Sequence, residues 1–205
     1  DAAVARHALP LGDAAASSWE ASASWREATG LDTAAVARRA RLFDLVVVGR
    51  SSRAVREPSS MTIERTLLTA GRPVLVAAST ALEKLGDIVA VAWNDTPEAS
   101  RALGAALPFL MQASETHILC FGDMRMDDLI QQLAWYGVRA VGHRFRPLSE
   151  QRAETGELLF SATRDCRADL LVMGAYGHAP WWELLFGGAT REVLNKNSFP
   201  ILLAH

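Results

Sequence analysis

Short, unbroken apolar runs recur along the chain, among them Leu45-Val46-Val47-Val48, Val74-Leu75-Val76, Ile88 to Trp93 and Leu170 to Met173. Between them lie longer stretches where apolar side chains return every three or four positions, as in Leu158, Leu159 and Ala162. Continuous β-branched or leucine-rich runs predict strands buried on both faces, the pattern of parallel sheets covered by helices. The pattern predicts strands over 43–49, 73–77, 88–93, 116–122, 139–145, 168–174 and 200–204, with a weaker one over 23–28. Helices are expected over 34–42, with Asp32 or Thr33 as N-cap, and over 63–70, 97–112, 127–136, 150–167 and 189–196. Gly137 should stop the fourth of these. Strands alternating with helices point to βαβ units.

The pattern repeats. Phe43-Asp44-Leu45-Val46-Val47-Val48-Gly49 is echoed by Ala168-Asp169-Leu170-Leu171-Val172-Met173-Gly174, and Asp44 and Asp169 are 125 residues apart. Each copy leads through a polar loop and a helix into a closing strand, Pro73-Val74-Leu75-Val76-Ala77 or Pro200-Ile201-Leu202-Leu203-Ala204. The fold class expected is therefore α/β, two doubly wound parallel five-stranded units. Residues 1–80 form the first and 81–205 the second, joined by a linker over Ser79 to Gly86. The first copy lacks anything like two opening strands, and the repeat offset places its start about 38 residues before Asp1. An N-terminus truncated upstream is the expectation. Apolar closing strands that lay at sheet edges would have to be covered or paired, and the expectation is that they pair with each other, making the chain an internal dimer.

Composition narrows the function classes. The 205 residues are half apolar and one fifth charged, an ordinary balance for a globular protein able to bury about 70% of its unfolded surface. A net charge of −2, from 21 basic and 23 acidic residues, argues against a nucleic-acid partner. No apolar run reaches the roughly 18 residues of a membrane span. Two cysteines, Cys120 and Cys166, make no disulfide framework and read as small apolar residues of a cytoplasmic protein.

The segment with candidate chemistry runs from Gly174-Ala175-Tyr176-Gly177 through His178 to Phe186 into Gly187-Gly188-Ala189-Thr190. A strand ends at Gly174 and a helix opens after Gly188, a junction where open α/β sheets bind ligands. Glycines let backbone approach a phosphate, and helix N-terminal amides attract anions. The same glycines would serve equally to turn corners and pack a helix against a strand.

This Gly-x2-Gly-x9-Gly spacing resembles the nucleotide-binding signature of the universal stress proteins, and the likeness extends over the chain as a tandem member with an incomplete first unit. Val89-Ala90-Val91-Ala92-Trp93-Asn94-Asp95-Thr96 is similar to that family's first strand and its Asp-Gly-Ser turn, and the strands from Asp169 and Pro200 match as well. The resemblance implies ATP, with Mg²⁺ accompanying it, bound in the second unit. Adenine would lie over the first two strands' carboxyl ends, ribose near Asn94, and phosphates on the amides of Gly177, Gly187, Gly188, Ala189 and Thr190. Met173 and Gly174 would form the floor, and His178 would lie in reach of a phosphate. It further implies a stress-response role in which the two units make the contact that single-unit members make between chains. A further homodimer through Trp181-Trp182 is open, as is packing of those tryptophans onto their own domain.

Two departures bear on affinity. Gly188 stands where ATP-binding members carry Ser or Thr, and Asn94 stands where they carry Asp. A lost charge-assisted hydrogen bond costs about 1.5–3 kcal/mol, roughly 10- to 150-fold. Thr190 or Asp95 would have to substitute. In the first unit Gly49-Arg50-Ser51-Ser52-Arg53 carries no such signature, so that unit reads as a structural partner, with Arg50 and Arg53 in solvent.

Other chemistries find no support. His117 and Cys120 are three apart on a strand and point to opposite faces, so no metal is expected from ligand spacing. There is no nucleophile elbow and no P-loop. A receiver-type phosphoswitch fails because Asp87 begins the first strand of the second unit while Asn94 ends it. No catalytic residue is expected, and hydrolysis, if any, should be slow. Two rival readings remain: an interaction protein whose nucleotide site has decayed, and a slow phosphohydrolase using His178.

Overall fold

The computed structural model describes residues 21–25, 27, 32–49, 60–78, 84–146, 152–175 and 199–205. The chain forms two compact units, residues 1–32 and 33–205. In the first unit the strand expected over 23–28 is reduced to an isolated bridge at Ala23 among the described residues. Everything below concerns the second.

Its elements run α1 (Thr33–Ala40), β1 (Val46–Val48), α2 (Ser60–Ala70), β2 (Val74–Val76), β3 (Ile88–Trp93) and α3 (Pro97–Leu110). They continue with β4 (Glu115–Phe121), α4 (Asp127–Trp135), β5 (Ala140–Phe145), α5 (Arg152–Asp165), β6 (Leu170–Gly174) and β7 (Ile201–Ala204). The seven strands make one sheet in the order β1-β2-β7-β6-β3-β4-β5. All neighbours are parallel except β2 and β7, which pair antiparallel with Leu75 opposite Leu202. The two closing strands thus meet as the repeat anticipated. The five strands from β7 to β5 form a doubly wound parallel sheet, and β1-β2 continues it across the antiparallel β2–β7 pair. The helix expected over 189–196 lies outside the described residues.

Alternation along the strands builds a core on each face. Val89, Val91, Ile118, Leu170, Val172, Leu202 and Leu75 bury against α3 and α4. Their neighbours Ala90, Ala92, Leu119, Leu171, Met173, Ile201 and Leu203 bury on the other face with Leu67 of α2 and Leu159 of α5. Burial on both faces holds for β2, β3, β6 and β7 but not at the sheet's ends. Val47 of β1 is 61% exposed and Val141 of β5 56% exposed, because an edge strand has neighbours on one side only. The α4 helix ends where expected: Gly137 takes φ +76°, a conformation costly for other residues, and its N–H bonds Ala134 O at 3.0 Å.

The repeated aspartates have diverged. Asp169 accepts backbone hydrogen bonds from Gly86 (2.8 Å), Asp87 (3.0 Å) and Ile88 (3.4 Å), pinning the start of β3 to the start of β6. Asp44 instead is exposed, 3.7 Å from Arg72. Among the described residues no helix is long and apolar enough to cross a membrane.

Candidate functional site

Chain order reverses between β3 and β6. From β3 the chain proceeds to β4 on one side, and from β6 to β7 on the other, so the carboxyl ends of β3 and β6 flank a crevice at a topological switch point. Ala92 pairs with Met173, which sets Gly174 level with the end of β3, one residue before Asn94. The structure therefore brings Asn94 and Gly174, 80 positions apart in sequence, to one sheet edge.

Asn94-Asp95-Thr96 is a tight, internally bonded turn. The Thr96 hydroxyl donates to Asn94 Oδ1 at 2.9 Å and accepts from Ala99 N–H at 3.3 Å, which makes Thr96 the N-cap of α3 with Pro97 in the first turn. Asp95 sits at φ +55°, the left-handed conformation that the resembled Asp-Gly-Ser turn fills with glycine and that aspartate tolerates better than most residues. With Oδ1 engaged by Thr96, Asn94 keeps a second lone pair and its amide N–H groups for a ligand hydroxyl.

Gly174 is glycine for a packing reason. A Cβ there would lie 2.6 Å from Ala99 N, 2.7 Å from the Glu98 carbonyl carbon and 2.8 Å from Glu98 Cβ. Only a bare backbone lets β6 end against the first turn of α3. Met173 is 1% exposed, with its side chain in the core on the α2 and α5 face. It contributes backbone to the edge, not a side-chain floor.

Two residues join this edge that spacing did not single out. His205 follows β7, and its Nδ1 lies 3.1 Å from Ala175 O, beside the exit from β6. The register Gly174↔Ala204 was the available signal, since a parallel neighbour delivers its own last residue to the same edge. Glu98 lies in the first turn of α3 against Gly174, its carboxylate 2.9 Å from Arg101, so the negative charge nearest the crevice carries its own counterion. Asp95, whose carboxylate would accept from the ribose in place of Asn94, lines a different hollow. This cleft of about 460 Å³ lies between α3 and α4, with Trp93, Ser100, Arg125, Asp128 and Tyr136 also on its walls.

Gly177, His178, Gly187, Gly188, Ala189 and Thr190, with Trp181, Trp182, Arg50 and Arg53, lie outside the described residues. What the structure describes is the anchoring of that loop's start: Ala175 N–H bonds Ala204 O at 2.8 Å, so the chain leaves the sheet at the crevice.

A mostly parallel α/β sheet reversing chain order at β3/β6, with a glycine-bearing exit at that point, defines the class of doubly wound α/β folds. Within it, the chain shares the fold of universal stress proteins. It superposes on one from Archaeoglobus fulgidus with a TM-score of 0.61 and 18% identity, covering 84% of this chain and 64% of that one. A candidate universal stress protein from Pseudomonas aeruginosa gives a TM-score of 0.50 at 17% identity, over 88% of this chain and 69% of the other. A functionally unknown protein from the same species gives 0.50 at 16% identity over the same shares. This chain thus spans less than two thirds of the Archaeoglobus protein's length. No family model matches the chain, and no curated relative does at a significant level.

Proposed function

We propose that this is a universal-stress-type protein that binds an adenine nucleotide, ATP with Mg²⁺, at the β3/β6 carboxyl edge, as a stress-response sensor and not a catalyst. One observation carries the reading: the Gly-x2-Gly-x9-Gly segment starts at the strand end that forms the switch-point crevice, beside Asn94. In this reading residues 1–80 are the closing part of a first unit without a site and 81–205 a second unit with one. The β2–β7 pairing is then the intrachain counterpart of a dimer contact, and Trp181-Trp182 offers a surface for a homodimer. The protein resides in the cytoplasm, with neither nucleic acid nor membrane as partner.

The residues fit the ligand in kind. Asn94 hydrogen-bonds a ribose hydroxyl, and the amides of Gly177, Gly187, Gly188, Ala189 and Thr190 hold the phosphates, with His178 alongside. Bound ATP supplies a charged triphosphate whose presence reports cellular energy state.

A second reading has its own observation. Asn94 Oδ1 is already engaged by Thr96, which favours an interaction protein that has lost its ligand. Nucleotide released on denaturing the freshly purified chain, identified by absorbance and mass, separates the two. Near-stoichiometric adenine nucleotide supports the proposal. None released, together with no retention of labelled ATP at millimolar concentration, supports the second reading.

A further inference from the structure

We propose that His117, His143 and Cys166 form a binding site for a zinc-type divalent transition-metal ion, away from the carboxyl edge. The three side chains come from three elements. His117 lies near the amino end of β4, His143 on β5, and Cys166 directly after α5. In the β4–β5 register His143 is opposite Leu119, so His117 and His143 are diagonal neighbours on the face that α5 covers. The turn that closes α5, with Cys166 N–H on Ala162 O at 3.0 Å, brings the thiol down onto the pair. One donor atom from each of the three lies within 4.8 Å of the others.

The donor set selects the ion. Two imidazole nitrogens and a thiol suit zinc or a similar borderline ion, and they offer nothing to magnesium or calcium, which require oxygen cages. Tetrahedral zinc with the usual Zn–N and Zn–S lengths sets its ligand atoms about 3.3–3.6 Å apart. His117 Nδ1 and His143 Nε2 face each other at 3.0 Å, and the rest of the cluster reaches that geometry with side-chain movements of about 1 Å.

A plain histidine pair accounts for less of what is observed. His117 Nε2 is buried without a hydrogen-bond partner, an expensive state for a ring nitrogen, and Glu115 Oε2 lies 3.4 Å from it, within ion-pair reach but short of a hydrogen bond. Coordination through Nδ1 moves the ring proton to Nε2 and aims it at Glu115, the carboxylate–imidazole–metal arrangement that orients metal-bound histidines. The fourth position falls to water. On binding, the Cys166 Sγ–H proton leaves to solvent and the thiolate replaces it with a bond to the metal.

Cys120 takes no part in the cluster, because it is buried on the opposite, α3 and α4 face of β4. The partners instead come from elements 26 and 49 positions further along. The test is zinc titration of the full chain, stripped with a chelator, against a chromophoric competitor, with Co²⁺ as spectroscopic probe. The proposal predicts one equivalent of Zn²⁺ bound and a thiolate-to-cobalt charge-transfer band. His143→Gln should weaken binding at least 100-fold, Cys166→Ser should abolish the charge-transfer band, and Cys120→Ala should change neither. Stoichiometric binding that both variants leave intact would assign the ion to other ligands and overturn the proposal. So would failure to compete with the chelator, or a cobalt spectrum of the parent chain without thiolate character. That last readout needs no variant to fold.

Discussion

Gly174→Ala is a one-methyl perturbation with a computable consequence. The new Cβ would meet Ala99 N at 2.6 Å and Glu98 atoms at 2.7 and 2.8 Å, against roughly 3.4 Å for an ordinary contact. Most of these are backbone atoms of the first turn of α3, so no rotamer change relieves them. That turn and the end of β6 must separate by about 0.8 Å, and overpacking of this kind costs about 1–3 kcal/mol. For a domain of this size 2 kcal/mol lowers Tm by about 4–8 °C. Gly104→Ala is the matched control. It lies on the same helix, lining the cleft between α3 and α4, but nothing comes within 4 Å of its added Cβ, so relief of a helical glycine should raise stability by about 0.5–1 kcal/mol. Thermal unfolding followed by circular dichroism reads both. Amide exchange at Ala99 and Ser100 should accelerate in Gly174→Ala and not in Gly104→Ala. A Gly174→Ala chain that melts within 1 °C of the parent would refute the claim that α3 is seated on bare backbone.

Three further outcomes are expected. Asp169→Ala removes the acceptor for three β3 amides and should cost about 2–4 kcal/mol in urea unfolding, while Asp169→Asn, retaining one acceptor oxygen, should cost less than half as much. Leu202→Lys places an ammonium at a fully buried position opposite Leu75 and should destabilise by at least about 3–5 kcal/mol, whereas Gln131→Lys on the exposed face of α4 should leave the urea midpoint unchanged. Burial pushes the Cys120 thiol up to about 11 against the pull of Arg144, so at pH 8 its thiolate fraction is about one in a thousand. Iodoacetamide at that pH should reach Cys120 only after denaturation; native labelling of Cys120, read by peptide mass, would contradict its burial.

What the sequence conveyed depended on how local the determining contacts are. The bounds of β3 were legible to the residue, because an unbroken apolar run between Asp87 and Asn94 allows no other buried structure. The α4 helix and its stop at Gly137 were legible from one punctuating glycine. The strand expected over 43–49 shrinks to Val46–Val48 because Phe43 and Asp44 are exposed, one 50% open to solvent. Apolar character alone does not distinguish a central strand from an edge. At the crevice, the glycine at 174 was legible but its reason was not: the residue it admits, Glu98, is 76 positions earlier. His117, His143 and Cys166 escaped because ligand spacing along one element says nothing about diagonal neighbours on two strands beneath a helix end.

The central claim is that the β3/β6 edge holds an adenine nucleotide on the glycine loop. Equilibrium dialysis of labelled ATP with Mg²⁺ against the full chain, its Gly187→Val variant and its Asn94→Asp variant tests it most directly. The account predicts saturable binding of one ATP by the parent, its loss in Gly187→Val at unchanged Tm, and binding tightened about tenfold or more by Asn94→Asp through a restored charge-assisted hydrogen bond. A parent chain that retains no ATP, or a Gly187→Val chain that retains it as tightly as the parent, would contradict the account.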